Sequence, residues 1–283
     1  MSETAAGILF LVATPIGNLE DISLRALRVL READLVAAED TRHTAKLLNH
    51  YDIRRPTASL HEHNEHEKVP ILVDRLRGGA RIALVTDAGT PAVSDPGYRF
   101  VRAAIDAGIR VEAVPGPSAV LAALVSSGLP TDSFVFAGFP PPKAAARRAW
   151  FEALKDERRT LVFFEAPHRI RETLESALDT LGDREASIGR ELTKLHEEVI
   201  RGPFSAVIGR LGEPRGEFTV VVAGRPDVAT GSGQQVSDNQ LLEDFGHLTE
   251  SGLGRREAIC ELATRYRLRS RDVFAAIDRA RRP

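Results

Sequence analysis

Apolar and polar positions alternate along this chain in two rhythms. Short apolar runs such as ILFLVA (8–13), RIALVT (81–86) and RVEAVP (110–115) predict buried strands. Between them lie stretches with apolar residues three and four apart, such as DISLRALRVLREA (21–33), where Ile22, Leu24, Leu27 and Leu30 predict a helix and Asp21 is placed to cap it. Over residues 8–128 the pattern predicts strands at 8–13, 35–40, 81–86 and 110–115. Helices are predicted at 21–33, 41–50, 66–79, 98–108 and 118–128. Strand followed by helix, repeated, predicts an α/β fold with a mostly parallel sheet flanked by helices.

The rhythm restarts with strands at 133–138, 159–166, 186–189 and 217–224 and helices at 143–157, 169–182 and 204–212. Two α/β lobes follow, at 8–117 and 118–225. Residues 226–238 are polar and Gly/Ser-containing without periodicity, which predicts a linker. Residues 239–283 read as three short helices, a small helix-turn-helix-like unit with Ser270 placed to cap the last.

The 283 residues leave room for two domains and a small third. The net charge of −2 gives no global signal for nucleic acid or membrane. It hides an asymmetry: residues 251–283 hold nine Arg against four acids. That tail either meets phosphates or forms a solvated amphipathic face. The single cysteine, Cys260, allows no internal disulfide and fits a reducing compartment. No leader pattern and no apolar run of membrane-spanning length is present, so a soluble, cytoplasmic protein with no membrane partner is expected.

Ligands of open parallel sheets sit at the carboxyl ends of strands. Here those ends carry ATPIGNLED (13–21), AEDTRHT (38–44), TDAGTPAVSDPG (86–97) and VPGPSA (114–119), rich in Gly and Pro turns. One such loop reads as structure; several in one lobe read as a site. Neither GxGxxG nor GxxxxGK[ST] occurs, which argues against a Rossmann dinucleotide site and a P-loop. HEHNEH (61–66) places His61, His63 and His66 close together. Without cysteines or an HExxH pattern it reads as a substrate-facing loop offering Glu62 and Asn64, with no metal. In EDTRHT, Arg42 reads as a phosphate contact, or Asp40 simply caps a helix. FAGFPPPKAAARRAW (136–150) interleaves Lys143, Arg147 and Arg148 with Phe139 and Trp150, a composition suited to RNA or, for Trp150, to core packing.

Eight segments, TPIGNLEDIS (14–23), AAEDTRHTAKLL (37–48), HEHNE (61–65), DAGTPAVSDPG (87–97), PGPSA (115–119), FAGFPP (136–141), EAPHRI (165–170) and GRELTKLHEE (189–198), occur in an order and spacing that resemble the tetrapyrrole methylase superfamily. Within it they resemble the branch that methylates the ribose 2′-oxygen of a cytidine in the decoding region of 16S rRNA. The resemblance covers about residues 8–224 and the C-terminal helices. It implies a two-lobed fold with a mixed sheet in the second lobe, S-adenosylmethionine held between the lobes, 16S rRNA or the small ribosomal subunit as partner, and a homodimer. It further implies cofactor contacts at Pro15, Asp87, Ala88, Gly89, Thr90, Val93, Ser118, Ala119, Phe164 and Leu192.

Methyl transfer to a hydroxyl is mainly a positioning task, helped by a group that takes the proton. GRELTKLHEE and EAPHR offer the candidates: Glu191 or His196 as proton acceptor, with Lys194, Arg169 and Arg190 holding phosphates. The same residues also read as ordinary surface ion pairs. Two other readings stay open: methylation of a tetrapyrrole intermediate, and a non-catalytic rRNA-binding assembly factor. The basic tail favours RNA over the former.

Overall fold

The computed structural model describes residues 7–226, 237–266 and 270–281. The chain divides into two compact units, Met1–Arg225 and Pro226–Pro283. Most of the expected linker, 227–236, lies outside the described residues, as do Arg267 and Arg269 of the basic tail.

The first unit contains two five-stranded sheets. In the first, β1 (Ile8–Val12), β2 (Leu35–Ala38), β3 (Thr57–Ser59), β4 (Arg81–Val85) and β5 (Arg110–Val114) are arranged β3-β2-β4-β1-β5. Every pairing is parallel. Successive side chains of a strand point to opposite faces, and both faces here are covered. Phe10, Val12, Val36 and Val85 pack under α1 (Leu24–Glu32) and α2 (Thr41–His50) through Leu27, Leu30, Leu47 and Leu48. Leu9, Leu35, Ile82 and Leu84 pack under α3 (Glu65–Arg77) and α4 (Tyr98–Asp106) through Leu72, Leu76 and Phe100. Burial on both faces is why β1, β2 and β4 read as unbroken apolar runs.

The second sheet runs β6-β7-β10-β8-β9, from β6 (Phe134–Phe136), β7 (Thr160–Glu165), β8 (Glu185–Arg190), β9 (Glu198–Pro203) and β10 (Phe218–Val222). Only β6 and β7 pair in parallel; the other three pairings are antiparallel. One face, with Phe163, Ile188 and Val220, packs on α6 (Ala144–Leu154), α7 (Ile170–Leu181) and α8 (Phe204–Arg210). The other, with Val162 and Val221, is covered by Val120, Ala123 and Leu124 of α5 (Ala119–Ser127) and by Ile16 and Leu192. Thus the helix that follows the last strand of the first sheet packs on the second.

Two elements differ from the sequence reading. Strands β3 and β9 were not predicted; both are sheet edges, and their polar or Gly/Pro-containing sequences, TAS and EVIRGP, lack an apolar run. Asp21 is not the cap of the first helix. It ends a short 3-10 turn, Leu19–Asp21, while Ser23 caps α1 by accepting from the Ala26 N–H at 3.1 Å.

The second unit comprises α9 (Asp238–Glu250), α10 (Arg255–Tyr266) and α11 (Ser270–Arg281) around Leu241, Phe245, Leu262, Val273 and Ile277. Arg279 donates twice to Asp238, at 2.8 and 3.1 Å, joining α11 to α9. Arg255, Arg256, Arg265 and Arg271 are exposed. No helix among the described residues is long and apolar enough to cross a membrane.

Candidate active site

The strand order makes β1 and β4 neighbours whose connections leave in opposite directions, and a ligand crevice forms outside the carboxyl ends of such strands. Loop 86–97 after β4 is drawn back onto the end of β1. Thr14 and Gly89 exchange backbone hydrogen bonds at 2.8 and 3.0 Å, and the Thr14 hydroxyl donates to the Thr86 carbonyl at 3.1 Å. Gly89 takes φ +87°, a conformation that side-chain-bearing residues rarely adopt. The far end of the loop is fixed by Glu65 of α3, buried at 5% exposure, whose carboxylate accepts from the Gly97 N–H at 2.7 Å. Between these anchors Ala92 and Ser94 are held at positive φ, 67° and 61°. Strain of this kind in a non-glycine residue persists only where its surroundings enforce it, and it gathers at ligand sites.

The loop walls a cavity of about 430 Å³, within the usual size of a small-molecule site. Asp87, Ala88, Gly89, Thr90 and Val93 line it from this loop, and Ser118 and Ala119 from the start of α5. Phe164 and Leu192 line it from the second lobe. Pro15 does not: it faces a second cavity of about 240 Å³ with His43, Thr44 and Lys46, while its neighbour Ile16 faces the first. Thr86 and Asp87 border both cavities.

Asp95, Phe139 and Glu165 also line the cavity, as do Glu39, Thr86, Ser94 and Glu217–Thr219, which the sequence pattern does not single out. They change the electrostatics. The described lining residues include Glu39, Asp87, Asp95, Glu165 and Glu217, and no Lys, Arg or His is among them, though Glu165 is paired with Arg169 and Glu217 with Lys194 from outside the wall. Glu165 is fully buried and fully engaged, accepting from Arg169 at 2.6 Å, from the Thr173 hydroxyl at 2.6 Å and from the Ala166 N–H at 2.7 Å. The Thr86 hydroxyl donates to Glu39 at 2.7 Å. Burial pushes the Asp95 carboxyl up to about 6 against the opposing pull of the nearby Thr86 hydroxyl, and the nearby charges of Glu39 and Asp87 add to the rise.

The expected catalytic and substrate residues lie elsewhere. Glu191 does not line the cavity; its carboxylate accepts from Lys194 Nζ at 2.8 Å and from the Glu217 N–H at 2.9 Å. The Lys194 hydrogen bond holds the Glu191 carboxyl below its ordinary range. Lys194 also reaches Glu217 at 3.1 Å. His196 is exposed and outside the cavity. Arg190 donates to the Arg215 carbonyl at 2.9 Å and pairs with Glu198 at 3.5 Å. Arg42 forks onto Asp40, which caps α2 by accepting from the Arg42 N–H at 2.8 Å. Asn64 is spent on its own turn, accepting from the His61 N–H at 2.9 Å and donating to the Ser59 carbonyl at 3.2 Å. Glu62 is exposed. Trp150 packs on Phe151 and Phe163, and buried Arg147 bonds Glu172 and the Pro142 carbonyl. No metal-binding cluster of His, Cys, Asp and Glu occurs among the described residues.

Residues 9–208 match the family model for Tetrapyrrole (Corrin/Porphyrin) Methylases. The chain belongs to this family, and its methyl donor is S-adenosylmethionine. A protein of Halalkalibacterium halodurans named Ribosomal RNA small subunit methyltransferase I is 45% identical, over 95% of this chain and 93% of its own length. One of the same name from Pseudomonas aeruginosa is 52% identical, over 78% of this chain and 80% of its own. Among solved structures, the uroporphyrin-III-C-methyltransferase from Thermus thermophilus superposes with a TM-score of 0.55 at 24% identity, over 77% of this chain and 94% of that one, a likeness of fold.

The cavity fits the donor. A sulfonium carries a positive charge and is favoured by carboxylates and carbonyls, and a lining without Lys, Arg or His opposes it with no like charge. The apolar part, with Ile16, Val93, Ala119, Val120, Phe164 and Leu192, suits the flat adenine.

Proposed function

We propose that this chain is a small-subunit ribosomal RNA methyltransferase that places the methyl group of S-adenosylmethionine on the ribose 2′-oxygen of a cytidine in the decoding region of 16S rRNA. The observation that carries the reading is similarity along almost the whole chain to relatives bearing that name, joined to a cavity whose charge suits a cationic donor. Working as a cytoplasmic homodimer belongs to the same proposal; light scattering on the purified protein tests the dimer.

When bound, the donor supplies an electrophilic methyl group. What the chain contributes is alignment. Loop 86–97, the start of α5, the Glu165–Pro167 turn, Leu192 and Glu217–Thr219 line the cavity that would hold the donor and present it to an acceptor oxygen. A ribose hydroxyl needs a proton acceptor as its bond to carbon forms. Glu191 is a poor choice because its hydrogen bond from Lys194 lowers its affinity for a proton and occupies its carboxylate. We assign the role to Asp95, which lines the cavity and whose burial gives it more affinity for a proton than an ordinary carboxylate.

The deciding measurement is mass spectrometry of rRNA from cells with and without the gene. The expected result is one ribose-methylated cytidine missing from the small-subunit RNA of the deletant and restored by purified protein with S-adenosylmethionine. Unchanged ribosomal RNA together with methyl transfer to a tetrapyrrole overturns the reading.

A further inference from the structure

The aromatic rings along the cavity differ in what they leave bare. Phe218 is buried at 2% exposure and Phe164 is partly covered, but Phe139 is 52% exposed. Its surroundings hold it in place. Phe164 sits between Phe136 and Phe139, with ring centroids 5.0 and 5.4 Å away. The preceding residue, Gly138, accepts from the Phe164 N–H at 2.9 Å and takes φ +71°. A side chain there would meet Ser94 Oγ at 3.7 Å, so loop 86–97 and the segment carrying Phe139 come together at this point. Pro140, Pro141 and Pro142 follow, with Pro140 buried, and restrict the backbone on the other side. The result is a fixed ring on the wall of the donor cavity with half its surface open.

Carrying a nucleotide's 2′-oxygen into a cleft is easiest when its base leaves the RNA stack. Turning it out exposes both faces of its base, and proteins that read unstacked bases cover them with aromatic side chains. The same cavity wall carries Glu39 and Asp87, acceptors of the kind that suit the amino group of cytosine. We propose that Phe139 is the platform on which the target base stacks while its ribose is presented to the methyl donor. This rests on the ribosomal RNA reading above and adds the residue that would hold the substrate's base.

The test compares wild type, Phe139→Ala and Phe139→Trp. Methyl transfer is measured on small ribosomal subunits from cells lacking the gene, and S-adenosylmethionine affinity by calorimetry. For Phe139→Ala the expected kcat/KM on the subunit is roughly ten- to a hundred-fold lower, the range that loss of one base–aromatic stack gives. Its S-adenosylmethionine Kd rises far less than its kcat/KM falls, an unchanged circular dichroism spectrum reports an intact fold, and Phe139→Trp keeps most of the transfer rate. Full transfer by Phe139→Ala, equal loss in Phe139→Trp, or a matching loss of donor affinity overturns the proposal. If the wild type itself transfers nothing to the subunit, the ribosomal RNA reading fails first, before any variant is compared.

Discussion

Two loops of the first unit, 86–97 and 190–197, share one backbone feature and differ in what their side chains do. Each holds two non-glycine residues at positive φ, Ala92 and Ser94 in one, Glu191 and Thr193 in the other. In the first loop the polar groups Asp87, Thr90, Ser94 and Asp95 line the cavity. In the second they bond to one another and to neighbouring chain. Glu191 and Lys194 are paired, Lys194 also holds Glu217, and Thr193 Oγ1 accepts from the Asn18 N–H at 3.2 Å. The two strained loops therefore do different work: one presents chemistry, the other fastens the second sheet to the ATPIGN turn of the first. Gly17 shows how close that fastening is, since a Cβ there would lie 2.3 Å from Lys194 Cγ.

The sharpest way to break this contrast is at Asp95. Asp95→Asn keeps the shape and removes the proton acceptor, so transfer is expected to fall by roughly 10²–10⁴-fold, far more than donor affinity does. In the wild type the rate is expected to drop as pH falls through about 6, because the acceptor must be ionised, and the variant should lack that limb. The stability sign is the reverse. A carboxyl raised in the folded state binds more protons folded than unfolded, so its stabilising contribution is present below the unfolded value and lost as pH rises to about 6. At neutral pH the Asn variant is therefore expected to melt higher than wild type while being inactive. Calorimetric melts at pH 5 and pH 7 check this, and an Asn variant as active as wild type would return the proton to another group.

The second loop should answer with stability instead of rate. Gly216 has φ +81°, and a Cβ there would lie 2.3 Å from the Glu191 carboxyl carbon. Gly216→Ala is expected to cost about 1–3 kcal/mol in a denaturant titration. Glu191→Gln removes the charge opposite Lys194 in a partly exposed pair and is expected to cost about 1 kcal/mol or less, with transfer within a few-fold of wild type. His196→Ala, at an exposed position, should change stability by less than about 0.5 kcal/mol and leave single-turnover transfer unaltered; a large rate loss there would erase the distinction between the loops.

How far the sequence could be read follows from the same geometry. The inner strands β1, β2 and β4 are visible because both their faces are buried, and the Gly/Pro turns after β4 and β5 place Asp87, Gly89 and Ser118 at the cavity. Pro15 and Ile16 show the limit. Adjacent residues at a strand end face opposite sides, so a motif locates a loop without deciding which neighbour points inward. Glu217 to Thr219 begin an antiparallel strand whose apolar run carries no loop signature, so nothing local marked them as wall residues. GRELTKLHEE attracted attention for its charges, yet whether a carboxylate faces a ligand or a lysine depends on partners near and far along the chain, as with Glu191, Lys194 and Glu217.

The crossing of α5 from one sheet to the other has a consequence for how this protein can be taken apart. Val120, Ala123 and Leu124 roof Val162 and Val221, although their helix leaves the end of β5. A fragment beginning after that helix would expose the apolar underside of its sheet, and a fragment ending with it would carry an orphaned greasy arm. Neither half is an independent module, so the enzyme is indivisible at the seam where it works.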